Sequence, residues 1–271
     1  RPTDLDGRTE NLLWQTLWGT WAPDTDDPMT PERLSAYLVK ASREQKGWTT
    51  WSAPDTDRER ALADYAAHLL ADPDTAQEMN AFASLTARDV ASVILANKAM
   101  ALTWFGVADI YQGSEVTRTS LVDPDNRRPV AYDGEAGLRE MLAQISAGGS
   151  PRTLDQEKLR LTRCLTHLRA ERPDTFVGPR SGYRTVPVTT SHAFSYARLL
   201  DEEPDVIVIV RRLSRRLARL GGWREESVVL PEGIWNEVLS GRPVDGGARR
   251  LADVLDDLPV VVLARERGEA A

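Results

Sequence analysis

The hydrophobic period of this chain changes twice along its length, and that limits the folds open to it. Through the first hundred residues, apolar side chains recur at three- and four-residue spacings. In ENLLWQTLWGTW (Glu10 to Trp21), Leu13, Leu17, Trp14, Trp18 and Trp21 share one stripe, which predicts an amphipathic helix with its tryptophans in the core. Thr30-Pro31-Glu32-Arg33 supplies a cap and then Pro at the first helical position, opening PERLSAYLVKASREQK. Asp55 or Thr56 caps a third helix that reaches about Leu70. The stretch from Thr75 to Trp104 reads as two helices meeting near Thr86, where Thr-Ala-Arg-Asp resembles a capping box.

From Gly106 to Gly113 the run GVADIYQG is short, partly β-branched and bounded by glycines, which predicts one buried strand. Helices alternating with a lone strand suggest the tail of an α/β fold whose other strands lie elsewhere. Helical periodicity returns over Glu135–Ser146 and Thr153–Arg172. After that come strand-like runs: VIVIV (Val206–Val210), SVVL (Ser227–Leu230), IWNEVL (Ile234–Leu239) and LPVVVLA (Leu258–Ala264). Turn signals GG, PEG, SGRP and DGG separate them, so the last third is expected to be a small all-β sandwich. The expected division is an α/β segment over 1–172 and a β-domain over 173–271.

Composition narrows the function. The formal net charge of −7 disfavours a general nucleic-acid binder, which needs clustered cations. No apolar run approaches a membrane span, and one cysteine, Cys164, fits a reducing compartment, so the expected setting is cytoplasmic. His68, His167 and His192 lie far apart, so metal-ligand spacing is missing, as are Gly-rich phosphate loops. The arginine run from Arg211 to Arg219 reads as a solvated strand end and turn. The chain opens on Arg1-Pro2, which leads to the expectation that it is the back part of a longer protein.

One polar cluster stands out. SLVDPDNRRPV, Ser120 to Val130, sets Asp123, Asp125, Asn126, Arg127 and Arg128 between two prolines. By itself it reads either as a charged surface loop closed by proline turns or as the wall of a binding site. Lys40, Arg43, Glu44 and Lys46 fall at helical spacings and are equally readable as an exposed face with local ion pairs.

GVADIYQGSE followed by SLVDPDNRRPV resembles the last barrel strand, and the loop after it, of the α-amylase superfamily (glycoside hydrolase family 13). Within it, the wording is most similar to the maltooligosyltrehalose synthase family. ENLLWQTLWGTW, YLVKASREQKGWTTW and the ending with LPEGIW and LPVVVL resemble further motifs of that family, so the likeness spans nearly the whole chain. The resemblance implies an α/β fold: the C-terminal part of a (β/α)8 TIM barrel with a helical insertion, then the β-sandwich. It implies an isomerase, an intramolecular transglucosylase with no cofactor. The reaction would turn the reducing-end α-1,4 bond of a maltooligosaccharide into an α,α-1,1 bond, a step of trehalose biosynthesis. Such chemistry needs a carboxylate nucleophile and a carboxylate acid/base.

The family's three catalytic carboxylates belong to upstream segments that this sequence does not contain, so no catalytic residue is assigned here. The implied partner is an upstream chain bearing the rest of the barrel. The implied substrate contacts are Lys46, Thr49 and Trp51 after the second helix, Tyr111, Gln112 and Glu115 closing the strand, and Asp123, Asp125, Asn126, Arg127 and Arg128 in the loop. An Asp–Arg pair there could instead shape the pocket without touching sugar, and Asp109 could pair with a basic group inside the barrel. Another retaining amylase-type hydrolase or glucanotransferase, or a non-catalytic carbohydrate-binding module, are the alternatives.

Overall fold

The computed structural model describes residues 5–22, 27–134, 137–255 and 258–266. Helix α1 (Gly7–Thr20) starts where Asp6 accepts the amides of Arg8 and Thr9, and α2 (Pro31–Gln45) where the Thr30 hydroxyl accepts that of Arg33. Helix α3 (Thr56–Ala71) is capped by Asp55, one of the two candidates. Helix α4 (Pro73–Thr103) runs unbroken where two helices were predicted. The Thr86 hydroxyl, read as a cap, instead donates to the Phe82 carbonyl one turn back, so it needs no helix break.

The chain forms two compact units, residues 1–87 with 118–130, and residues 88–117 with 131–271. In the first, Leu13 and Leu17 of α1, Leu34 and Leu38 of α2, Leu62 and Ala66 of α3 and Met79 of α4 make the core. Trp18 and Trp21 pack against it, but Trp14 is exposed, contrary to the expectation that all three face inward. The buried face of α1 runs through Thr9, Leu13, Thr16, Leu17 and Thr20, and Trp14 sits about 100° around the helix from Leu13.

The second unit holds the rest of α4, α5 (Leu138–Ser146), α6 (Leu154–Glu171), the one-turn α7 (Pro173–Phe176) and all the strands. Glu135, the expected start of α5, lies outside the described residues. The strands are β1 (Ser181–Thr185), β2 (Ala193–Leu200), β3 (Glu203–Arg211), β4 (Ser227–Glu237), β5 (Pro243–Arg250) and β6 (Val260–Arg265). They form one six-stranded antiparallel sheet in the order β1-β2-β3-β6-β4-β5.

Side-chain alternation divides the core across this sheet. Val206, Val208 and Val210 of β3 pack with Leu95, Ala99 and Leu102 of α4 and Leu161, Leu165 and Leu168 of α6. Ile207 and Ile209 face the other way, toward Trp223, Trp235, Leu251 and Val254. Burial on both faces is why VIVIV is continuously apolar. Between β3 and β4 the arginine run becomes a short helix, α8 (Ser214–Arg219), rather than a turn; α9 (Leu251–Val254) follows β5.

Two strand expectations change. PEG does not separate SVVL from IWNEVL but makes an irregularity inside β4, between Leu230 and Ile234. A Cβ on Gly246 would lie 2.5 Å from the Pro231 carbonyl, so the partner strand needs glycine at that close approach. The predicted strand over Gly106–Gly113 is absent: the segment carries no regular structure, and Val107 is 92% exposed. Strand geometry requires a hydrogen-bonded neighbour, and no described segment supplies one.

Candidate functional site

The loop after Ser120 is built around a carboxylate. Arg33, in the first turn of α2, forks onto Asp125, with Nε donating to Oδ1 at 2.8 Å and Nη2 to Oδ2 at 3.1 Å. The Leu121 amide donates to Oδ2 at 2.7 Å, and Arg128 Nε lies 3.1 Å from Oδ1. Only 9% of the Asp125 side chain is exposed. Burial works against its charge, but the Arg33 fork and the Leu121 amide outweigh it and hold the carboxyl below the usual range. Asp125 is therefore the hub that shapes the loop. The backbone from Asp125 to Arg127 closes as a 3-10 turn on top of it.

Its neighbours divide by exposure. Asp123 accepts both Nε and Nη2 of Arg127, at 3.1 and 2.9 Å, in a pair open to solvent. The bond to Arg127 comes first in keeping the Asp123 carboxyl low. The Asp123 carbonyl accepts Lys40 Nζ at 2.7 Å, tying the loop to α2 a second time. Arg128 donates from Nε to the Asp125 carbonyl at 3.0 Å and from Nη1 to Asp27. Asn126 Oδ1 is enclosed, with no hydrogen-bond partner among the described residues. Arg118 closes the loop from behind, through Ser120 Oγ at 2.8 Å and the Arg128 carbonyl at 2.8 Å.

In the same unit, α2 ends at Lys46, which adopts the left-handed conformation (φ 59°) with its side chain exposed. Thr49 is 1% exposed; its hydroxyl donates to Glu59 and accepts the Asp55 amide at 3.0 Å. Glu59 also takes a fork from Arg43, at 2.8 and 2.6 Å. The Arg43 bond leads in lowering the Glu59 carboxyl, against burial and with help from Thr49. Arg43 lies over the Trp51 ring, 5.0 Å from its centroid, and Trp51 is 59% exposed. The result is an aromatic face presented to solvent and backed by a partly buried ion pair.

In the second unit, Tyr111 and Gln112 are exposed and Glu115 is half-buried. The Ser114 amide donates to the Tyr111 carbonyl at 2.7 Å, which turns the chain there. Glu115 Oε2 is enclosed without a hydrogen-bond partner among the described residues, within reach of the charges of Lys98 and Lys158. The structure thus brings Lys46, Thr49, Trp51 and the loop into one unit and Tyr111, Gln112 and Glu115 into the other.

Sequence reasoning missed Arg33, Glu59 and Arg118, and nothing local marks them. Arg33 and Asp125 stand 92 positions apart. Among the described residues no three His, Cys, Asp or Glu side chains are placed to hold a metal ion, and no helix is long and apolar enough to cross a membrane.

No family model matches the chain. Two curated proteins from strains of Mycobacterium tuberculosis, described provisionally as maltooligosyl trehalose synthases, are 32% identical over 262 residues, 96% of this chain and 32% of theirs. The maltooligosyltrehalose synthase of Arthrobacter ramosus superposes with a TM-score of 0.79 at 30% identity, over 95% of this chain and 32% of that one. A Sulfolobus tokodaii hypothetical maltooligosyl trehalose synthase superposes with a TM-score of 0.68 at 26% identity, over 97% of this chain and 32% of that one. The neighbours therefore carry the name that the motifs implied, and the chain spans about a third of the length of the curated relatives it matches.

Proposed function

We propose that this chain is the C-terminal portion of a maltooligosyltrehalose synthase, acting with a segment that supplies the remaining two thirds and the catalytic carboxylates. The observation that carries this reading is likeness in both sequence and structure along nearly the whole chain, at 30% identity and a TM-score of 0.79. In this reading residues 1–172 close a (β/α)8 barrel, and residues 173–271 are an appended β-domain built on the single six-stranded sheet rather than the sandwich expected from the sequence. The segment Gly106–Gly113 is then the last barrel strand, completed by neighbours from the other segment. That would cover the exposed Phe105 and Val107.

The reaction sets what the chain must do. A carboxylate displaces the reducing-end glucose from its α-1,4 bond, forming a glycosyl ester, while an acid protonates the departing oxygen. The released glucose then turns, and its anomeric hydroxyl attacks the ester, giving the α,α-1,1 bond and freeing the carboxylate. No atom is gained or lost overall. Water must be excluded meanwhile, and the glucose must be held loosely enough to turn.

The exposed groups suit sugar contact: Trp51 as a stacking face, with Lys46, Asp123 and Arg127 as hydrogen-bonding groups around hydroxyls. Tyr111 and Gln112 make a second set. Asp125, Arg128, Thr49, Asn126 and Glu115 shape these surfaces from beneath.

The test combines this chain with the remaining segment and supplies maltopentaose. Loss of reducing ends without shortening supports the synthase. Glucose release as the main course would instead make it a hydrolase of the amylase type. Tight binding by this chain alone, with no turnover in the assembly, would leave a carbohydrate-binding module.

A further inference from the structure

The segment carrying Tyr111, Gln112 and Glu115 has no strand partner among the described residues, yet its far end is gripped twice by one helix. Asp155 Oδ1, in the first turn of α6, accepts the Thr117 amide at 2.7 Å. Lys158 Nζ, three residues on and so on the same face of α6, donates to the Val116 carbonyl at 2.6 Å. These are the two polar groups of a single peptide bond. That unit is planar, so holding both its ends fixes its orientation and the direction from which the chain arrives.

The grip passes directly into the candidate site. The Val116 amide donates to the Gly113 carbonyl at 3.3 Å, and the Ser114 amide to that of Tyr111 at 2.7 Å. Two successive turns therefore link the held peptide to Tyr111. Lys98 of α4, 8% exposed, adds a second buried cation, and the charges facing the two lysines are Asp109, Glu115 and Asp155. An apolar contact would anchor a structural loop without desolvating charge.

We propose that Asp155 and Lys158 are positioning residues that set the Tyr111–Glu115 turn for its work on the sugar. The inference rests on the reading in the preceding subsection. Burial holds the Lys158 ammonium at about 8, with Lys98 pushing in the same direction and Asp155 and Glu115 opposing. The charged grip thus weakens on the alkaline side.

The experiment uses the chain assembled with its remaining segment and compares Asp155→Ala, Lys158→Met and Lys158→Arg with the unmodified protein. Amide exchange at Thr117 reports the grip, and kcat/KM for the non-reducing product reports its consequence. Asp155→Ala should speed Thr117 exchange and lower kcat/KM by about ten- to a hundredfold, the scale of a small misplacement at a reacting site. Lys158→Met should lower it similarly. Lys158→Arg should restore most of the activity and move the alkaline limb of the pH profile upward from near 8, since arginine keeps its charge. Freed Thr117 exchange with unchanged kcat/KM would overturn the inference alone, as would an alkaline limb that Lys158→Arg leaves in place. An unmodified assembly that makes no non-reducing product would overturn the proposed function and this inference with it.

Discussion

The loop from Ser120 to Val130 and the segment from Gly106 to Thr117 are both irregular and polar, but they are ordered by different means. The loop draws its constraint from ion pairs within its own unit: Asp125 receives Arg33, Arg128 and a backbone amide, and Lys40 and Arg118 tie its carbonyls. The segment is held at its end by Asp155 and Lys158 and at Gly106 by Arg169 and the Phe176 carbonyl, while beside Gly106 Phe105 is 60% and Val107 92% exposed. Side chains can saturate the backbone of a short loop. A stretch with strand-like composition needs another strand, and apolar residues left in water are the mark of one that lacks it.

The comparison would break most visibly at Arg33. Arg33→Met leaves the Asp125 carboxylate enclosed without its fork, and should destabilise the first unit by about 3–5 kcal/mol in denaturant unfolding. A loss below about 1 kcal/mol would mean that Leu121 and Arg128 suffice and that the fork is not what orders the loop.

Acid sharpens the contrast at an intermediate scale. Glu59 and Asp125 are held below the usual carboxylate range when folded, so they bind fewer protons folded than unfolded. Their contribution is complete at neutral pH and is lost as the pH falls below about 4 through the depressed folded values. The stability gap between the parent chain and Glu59→Gln should therefore close in that window. A gap that persists at the lowest pH would remove the carboxylate from the account. Lys158 has the same slope in an alkaline window. Its folded value of about 8 lies below the ordinary 10.5, so its folding cost is relieved as the pH rises between them.

The smallest structural effect belongs to Arg127, in the solvent-open pair of the same loop. Arg127→Ala should leave the unfolding midpoint of the chain where it is, because exposed ion pairs add little. Under the proposed function, where Arg127 reaches a sugar hydroxyl, the same substitution in the chain assembled with its remaining segment should still lower kcat/KM about tenfold through loss of a charge-assisted bond. Unchanged kinetics would leave Arg127 bonded to Asp123 alone, with no sugar contact, and the loop's role would reduce to the enclosed Asp125 hub.

Helices α2 and α3 were legible because each carries its own start signal: Thr30 before Pro31 and Asp55 before α3 cap as read, and Thr153, where a helical stretch was expected to begin, caps α6. VIVIV and LPVVVLA were legible as strands because both faces of the sheet are buried there. SGYRT and AFSYARLL became β1 and β2 without such a run, and PVDGGARR became β5 despite two glycines, through pairing with β4. Of the candidate site, the polar residues were visible, but which were enclosed and which open was not. Asp123 and Asp125 are two positions apart and chemically identical, yet one faces solvent and the other is nine-tenths enclosed.

Local chemistry in the chain was sufficient for the starts of α2 and α3, the buried strands and the likeness to a sugar-transforming family, because each is written within a few turns of backbone. Tertiary structure alone decided that Asp125 would meet Arg33, that Glu59 would bind Arg43 and Thr49, and that α6 would hold the peptide at Val116. Those pairings join groups from 10 to 92 positions apart. Burial makes them strong, and no local pattern can signal a partner that only folding brings near.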